Sequence, residues 1–157
     1  MRNVYEMQSR WDLRASREEV WDALAALLDS EDPMAWWPSV RVESYVDDEL
    51  VVLASSHLGY TLKFRLYDLA QSRPESMTVL SDGDLRGGGT MTFSEVSAAS
   101  SALNVQWNVS VDRAWMRATS WILRPIFVLG HHLVMNQGEK NFNRWLATRG
   151  TGQPRRQ

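Results

Sequence analysis

The sequence has no cysteine. That removes disulfides, thiolate metal sites and a cysteine nucleophile, and it favours a cytoplasmic location. Net charge is also small, with 17 Lys and Arg against 19 Asp and Glu for a balance of −2 at pH 7. No strong overall field therefore draws the chain to nucleic acid or to anionic lipid. Arg155 and Arg156 form a short basic end, which reads as frayed. Long hydrophobic runs are missing as well. The first eight residues carry no apolar core of a signal peptide. The greasiest stretch, Trp121 to Met135, is broken by Arg124, Pro125, His131 and His132, and is too short and polar for stable membrane insertion. There are no repeats, no low-complexity segments and no linker, so one domain over 1–149 with a flexible tail at 150–157 is expected.

Tryptophan, in contrast, is abundant, with eight in 157 residues. A ring of that size is seldom fully buried by chance, and its indole N–H wants a partner. Several of these rings are candidates to line a cavity rather than fill a core. Trp107 lies at the centre of 102–112, where apolar and polar residues alternate. Side chains on a strand point to opposite faces, so this segment has one dry face and one wet face. Tyr5, Met7, Ser9, Trp11 and Leu13 form the dry side of a first strand. Ser16-Arg17-Glu18-Glu19 is a capping box that starts a helix with a Val20, Leu24, Leu27, Leu28 stripe. Met34-Ala35-Trp36-Trp37-Pro38 makes an aromatic turn.

Strands are then predicted at 39–46 and 50–55 around Asp47-Asp48, at 58–67 with Tyr60, Leu62, Phe64 and Leu66 on one face, and at 76–81 and 90–96. The Gly87-Gly88-Gly89 run lacks the Lys-Ser/Thr ending of a phosphate loop and marks a bulge or sharp bend. From about Ala114 to Thr148 the period becomes helical. Phe127, His131, Val134, Met135, Gly138, Phe142 and Trp145 share a face, with Asn136, Lys140, Asn143 and Arg144 opposite. Pro125 is expected to kink this helix, or to part it from a turn holding Trp115 and Trp121. The fold class is α+β: a curved antiparallel sheet of six to seven strands wrapped around a long C-terminal helix, with two short helices between strands 1 and 2.

The residues go further. Trp36-Trp37-Pro38 with Val42-Glu43, Gly59-Tyr60-Thr61-Leu62-Lys63-Phe64 and Gly83-Asp84-Leu85-Arg86-Gly87 resemble the SRPBCC superfamily. So do Trp115-Met116, Arg124-Pro125-Ile126-Phe127 and the 131–139 segment His-His-Leu-Val-Met-Asn-Gln-Gly-Glu. The resemblance runs from Trp11 to Leu146, and is greatest to the polyketide cyclase/dehydrase and lipid-transport-like branch. It implies a START/Bet v 1-like helix-grip fold with a cavity for a hydrophobic small molecule, but not a reaction, since that branch holds binders, lipid carriers and aromatase/cyclases. Before His131, where similar sequences often carry Asn, this chain has Gly130.

Trp36, Trp37, Tyr60, Phe64, Trp107, Phe127, His131 and Met135 are the candidate ligand-binding residues. An aromatic, mostly apolar pocket with few polar groups suits a polycyclic or acyl guest. His131 is the one candidate for catalysis, because imidazole titrates near neutrality; a buried structural histidine is the alternative. His132 projects towards the edge of the stripe. His131 and His132 diverge on a helix, and nothing in the spacing ties His57 to them, so no metal or cofactor is assigned. Asp82 and Asp84 read as turn residues around Gly83, and no Ser-His-acid triad can be assembled. Three functions remain: a carrier or binding protein, a cyclase or dehydrase using His131, or a protein-interaction module with a filled cavity. The molecule is expected to be a monomer or homodimer with no nucleic-acid partner.

Overall fold

The structure, a computed structural model, describes residues 4–111 and 120–151 of the chain. The first alternating segment is strand β1, Val4–Leu13, which buries Tyr5, Met7, Trp11 and Leu13. The capping box forms as its spacing predicts. Ser16 Oγ accepts from the Glu19 N–H at 3.2 Å, and the Glu19 carboxylate accepts from the Ser16 N–H at 3.1 Å. This reciprocal pair satisfies two backbone donors and opens helix α1, Arg17–Leu28. The helix buries Val20, Trp21, Ala23 and Leu27, with Trp21 meeting Phe93 edge-on at 5.4 Å between ring centroids.

Where the sequence suggests two short helices before the second strand, the structure has one. Residues 33–38 instead make successive turns, with the Trp37 N–H on the Met34 carbonyl at 2.9 Å and the Val40 N–H on the Trp37 carbonyl at 3.0 Å. Pro33 and Pro38 bracket this stretch. Between them there is no room for a run of i to i−4 bonds.

Six strands follow: β2 Val40–Val46, β3 Glu49–Ser55, β4 Thr61–Ser72, β5 Ser76–Gly83, β6 Leu85–Ser97 and β7 Ser100–Val111. With β1 they form one seven-stranded antiparallel sheet in the order β1-β7-β6-β5-β4-β3-β2. Asp47 and Asp48 join β2 to β3 with φ of 52° and 60°, the backbone that a tight hairpin needs and that Asp tolerates. A register shift between Tyr67 and Ala70, with Asp68 at φ 52°, bends β4. The Gly87–Gly89 run is not a bulge. It lies inside β6 in regular register with β7, Gly89 opposite Trp107. A methyl group at Gly89 would come within 3.1 Å of the Trp107 ring, so the glycine is there to let an indole lie flat on the sheet.

The last element, α2, is Ser120–Thr151. It runs through Pro125, so Trp121 belongs to the helix rather than to a preceding turn. Proline here removes the one ladder bond that an N–H at this position would make to the Trp121 carbonyl. Gly150 and Thr151, the first residues of the expected tail, end this helix. Trp115 and residues 152–157 lie outside the described residues.

Helix α2 sits in the concave side of the sheet and is fastened at both edges. On the β1 side the Glu139 carboxylate accepts from the Asp12 N–H at 2.8 Å. Asn143 accepts from the Arg14 N–H at 2.9 Å and donates to the Asp12 carbonyl at 2.9 Å. On the β2 side Gln137 accepts from the Ser39 N–H at 3.1 Å, and the Trp37 indole donates to the Val134 carbonyl at 3.1 Å. Asn143, placed by periodicity on the polar face away from the sheet, therefore serves the free edge of β1. Two apolar clusters lie beneath the helix, and Trp107 touches both.

Candidate functional site

Between the concave face of the sheet and α2 the interior is not filled. A cavity of about 250 Å³ remains, lined almost wholly by apolar groups. One side is built by Leu24, Leu27 and Leu28 of α1, by Trp36 and Trp37, and by Phe142 of α2. Val52, Tyr60, Phe64 and Phe127 form the other side, and Met77, Leu103, Val105 and Trp107 supply the wall between. Strand alternation explains the membership: Tyr60, Leu62, Phe64 and Leu66 share the inner parity of their segment and all line the void.

Two glycines of α2 shape this lining by what they omit. A side chain at Gly130 would collide with the Tyr60 hydroxyl and come within 2.8 Å of Ser56 Oγ. The tyrosine ring thus occupies the place that a longer residue before His131 would take. Its hydroxyl donates to the Phe127 carbonyl at 3.3 Å, and its ring stacks on Phe127 at 6.0 Å. Burial pushes the Tyr60 phenol above its usual 10, which keeps it a neutral donor. At Gly138 a Cβ would lie 2.6 Å from the Trp11 ring and 2.7 Å from the Trp37 ring. Here two indoles rest on the helix backbone. Trp11, Trp36, Trp37 and Phe142 form one aromatic group, with Trp36 and Trp37 stacked at 5.1 Å.

His131 lines the cavity from α2, and its Nε2 lies 3.4 Å from the Ser9 hydroxyl. Burial, with a smaller contribution from the neighbouring His132, lowers its pKa from 6.5 to about 4. The imidazole is therefore neutral near pH 7. His132 is exposed, with its ring 6.1 Å from that of His131. His57 is also exposed. Among the described residues no three His, Asp or Glu side chains gather into a possible metal cluster. Asp82 pairs with Arg86 at 3.3 Å and Asp84 accepts from the Lys63 N–H at 2.9 Å, so both acids serve the β-sheet rim outside the cavity.

All the residues singled out from the sequence, Trp36, Trp37, Tyr60, Phe64, Trp107, Phe127, His131 and Met135, line this one cavity. Trp11, which also lines the cavity, was missed, as were Ser9 and Gly138, which meet lining side chains without lining it themselves. The parity of β1 carries the signal for the first two, since Ser9 and Trp11 share the face of Met7 and Leu13. No local signal marks Gly138, because the rings that need it arrive from residues 11 and 37.

No protein-family model matches the chain, and no curated protein matches it in sequence. Solved structures do match in fold. A conserved protein from Geobacillus kaustophilus aligns over 92% of this chain and 96% of its own, with TM-score 0.69 and 11% identity. The Zhui aromatase/cyclase from a Streptomyces species aligns over 94% and 96%, with TM-score 0.66 and 14% identity. A START superfamily protein from Mycobacterium smegmatis covers 91% and 97%, with TM-score 0.62 and 12% identity. At such identities the likeness is one of architecture, and it agrees with the strand order and gripped helix described above. This chain has a START/Bet v 1-like helix-grip fold.

Proposed function

We propose that this protein binds a compact hydrophobic or aromatic small molecule, lipid-like or polyketide-like, inside the cavity, as a carrier or binding protein. The observation that carries this reading is the unfilled, nearly all-apolar interior between sheet and helix. Burying apolar surface is worth roughly 25 cal/mol per Å², enough to hold such a guest without a reaction. At about 250 Å³ the void lies just below the ~300–1,000 Å³ usual for ligand pockets. That size suits a fused-ring aromatic or a single medium acyl chain better than a two-chain lipid. The void also weighs against an interaction module with a filled interior.

A cyclase or dehydrase using His131 has less support. A base whose conjugate acid titrates at about 4 is a weak proton acceptor at neutral pH, and among the described residues a serine hydroxyl is the only group hydrogen-bonded to the ring. Native mass spectrometry of freshly purified protein tests the main reading, with a co-purifying apolar compound as the expected result. Absence of any adduct, together with no thermal shift across a library of small aromatics and fatty acids, overturns it. Turnover of a polyketide-like chain that His131→Ala abolishes without loss of stability would favour the enzyme instead.

A further inference from the structure

Gly89 sits in the middle of β6, a place where glycine weakens a strand and often marks a close approach. A Cβ built on it would stand 3.1, 3.1 and 3.2 Å from three adjacent atoms of the six-membered ring of Trp107. Distances so nearly equal put that point over the ring face, since a point beside the rim is much nearer to one atom than to its neighbours. The indole therefore lies parallel to the sheet. One face shields the Gly89 backbone, as aromatic side chains shield glycines in other sheets. Trp107 also lines the cavity that stands above this sheet, and is only partly buried. Its second face is thus the one turned to the void. Among the described residues, Trp11, Trp36, Trp37 and Phe142 pair ring to ring at one side of the cavity, whereas no ring pairs with Trp107. Opposite it, Val134 and Met135 of α2 line the same void, and a thioether adapts readily to an aromatic neighbour.

We propose that the free face of Trp107 is a stacking platform, and that the guest is a planar fused-ring aromatic rather than an acyl chain. This rests on the reading that the cavity takes a small-molecule guest. A flat ring system meets the indole in offset stacking over its whole area. A methylene chain touches it only along a line, and a saturated ring is too thick to lie as close. Gly89 sets the level of the platform, because any side chain there would press the indole up into the space the guest needs.

Three probes with ten carbons and one hydroxyl test the idea: 2-naphthol, its fully hydrogenated counterpart and decanol. Their affinities are measured by calorimetric titration for the wild type, Trp107→Phe and Trp107→Leu. Both substitutions enlarge the void, but only phenylalanine keeps a ring face. The preference for 2-naphthol over either saturated probe is expected to fall about fivefold in Trp107→Leu, the worth of one stacked pair, and less than about twofold in Trp107→Phe. Differences in hydration among the probes cancel in this cycle. Equal loss in both variants, or no loss in either, overturns the platform while leaving the cavity reading intact. Failure of all three probes to bind the wild type overturns the cavity reading itself for guests of this class. Should a variant not fold, nuclear Overhauser contacts in the wild type decide. Ring protons of bound 2-naphthol are expected to contact the six-membered ring of Trp107, assigned through its own contacts to the Gly89 α-protons. Contacts to other lining side chains alone overturn the platform.

Discussion

At the scale of single residues, two side chains make testable demands. His131 is held neutral by burial, with its pKa lowered from 6.5 to about 4. Between those values the unfolded chain takes up a proton that the folded chain refuses, so stability falls as pH drops from 6.5 towards 4 and levels off below. The full effect is about 3 kcal/mol. His131→Gln retains a polar partner for Ser9 and is expected to flatten that part of the curve, as read from urea midpoints across the window. Gly138 makes the opposite kind of demand. Alanine there gains about 1 kcal/mol of helix propensity, but its methyl would press on the Trp11 and Trp37 rings at 2.6 and 2.7 Å. Overpacking of rigid groups costs about 1–3 kcal/mol, so the steric effect wins and Gly138→Ala lowers the thermal midpoint. Inward-facing Trp107 and His131 were legible in the sequence because parity and helical period are local. The need for glycine at 130 and 138 was not, since it is set by residues far away in the chain.

The elements were legible to a similar degree. The capping box, the Asp47-Asp48 hairpin and the parity of β1, β4 and β7 follow from neighbours in sequence, and each stands in the structure. The glycine run was half legible: composition reads as a bulge or bend, and the strand holds continuous register, with Trp107 opposite Gly89, while Gly87 takes a φ of 147°. The same limit applies to α2, whose polar residues were sorted by periodicity into a wet face. Asn143 bonds both the Arg14 N–H and the Asp12 carbonyl. Asn143→Ala is expected to cost about 1–2 kcal/mol and to speed amide exchange at Arg14 without changing that of β5. Equal acceleration in both strands would mean that the bonds do not act locally.

For the whole molecule, the sequence conveyed the plan of sheet, helix and apolar interior, but whether that interior was full or empty depends on side chains meeting across the fold. A bound guest shifts the unfolding equilibrium of the entire chain. At a hundred times its Kd it adds about 2.7 kcal/mol, which for a chain of this size raises the thermal midpoint by roughly 5–10 °C. A plot of midpoint against ligand concentration checks this, and a flat line with a ligand shown to bind would place its site on the unfolded chain as well. The fastening of α2 to β1 has a further consequence. Strand edges with open N–H and C=O groups recruit other strands, and chains that expose them polymerise. Here Glu139 and Asn143 occupy the Asp12 N–H, the Asp12 carbonyl and the Arg14 N–H, at the end of β1. Loss of the helix beyond Gly138 would therefore bare that end of the edge and favour self-association strand to strand.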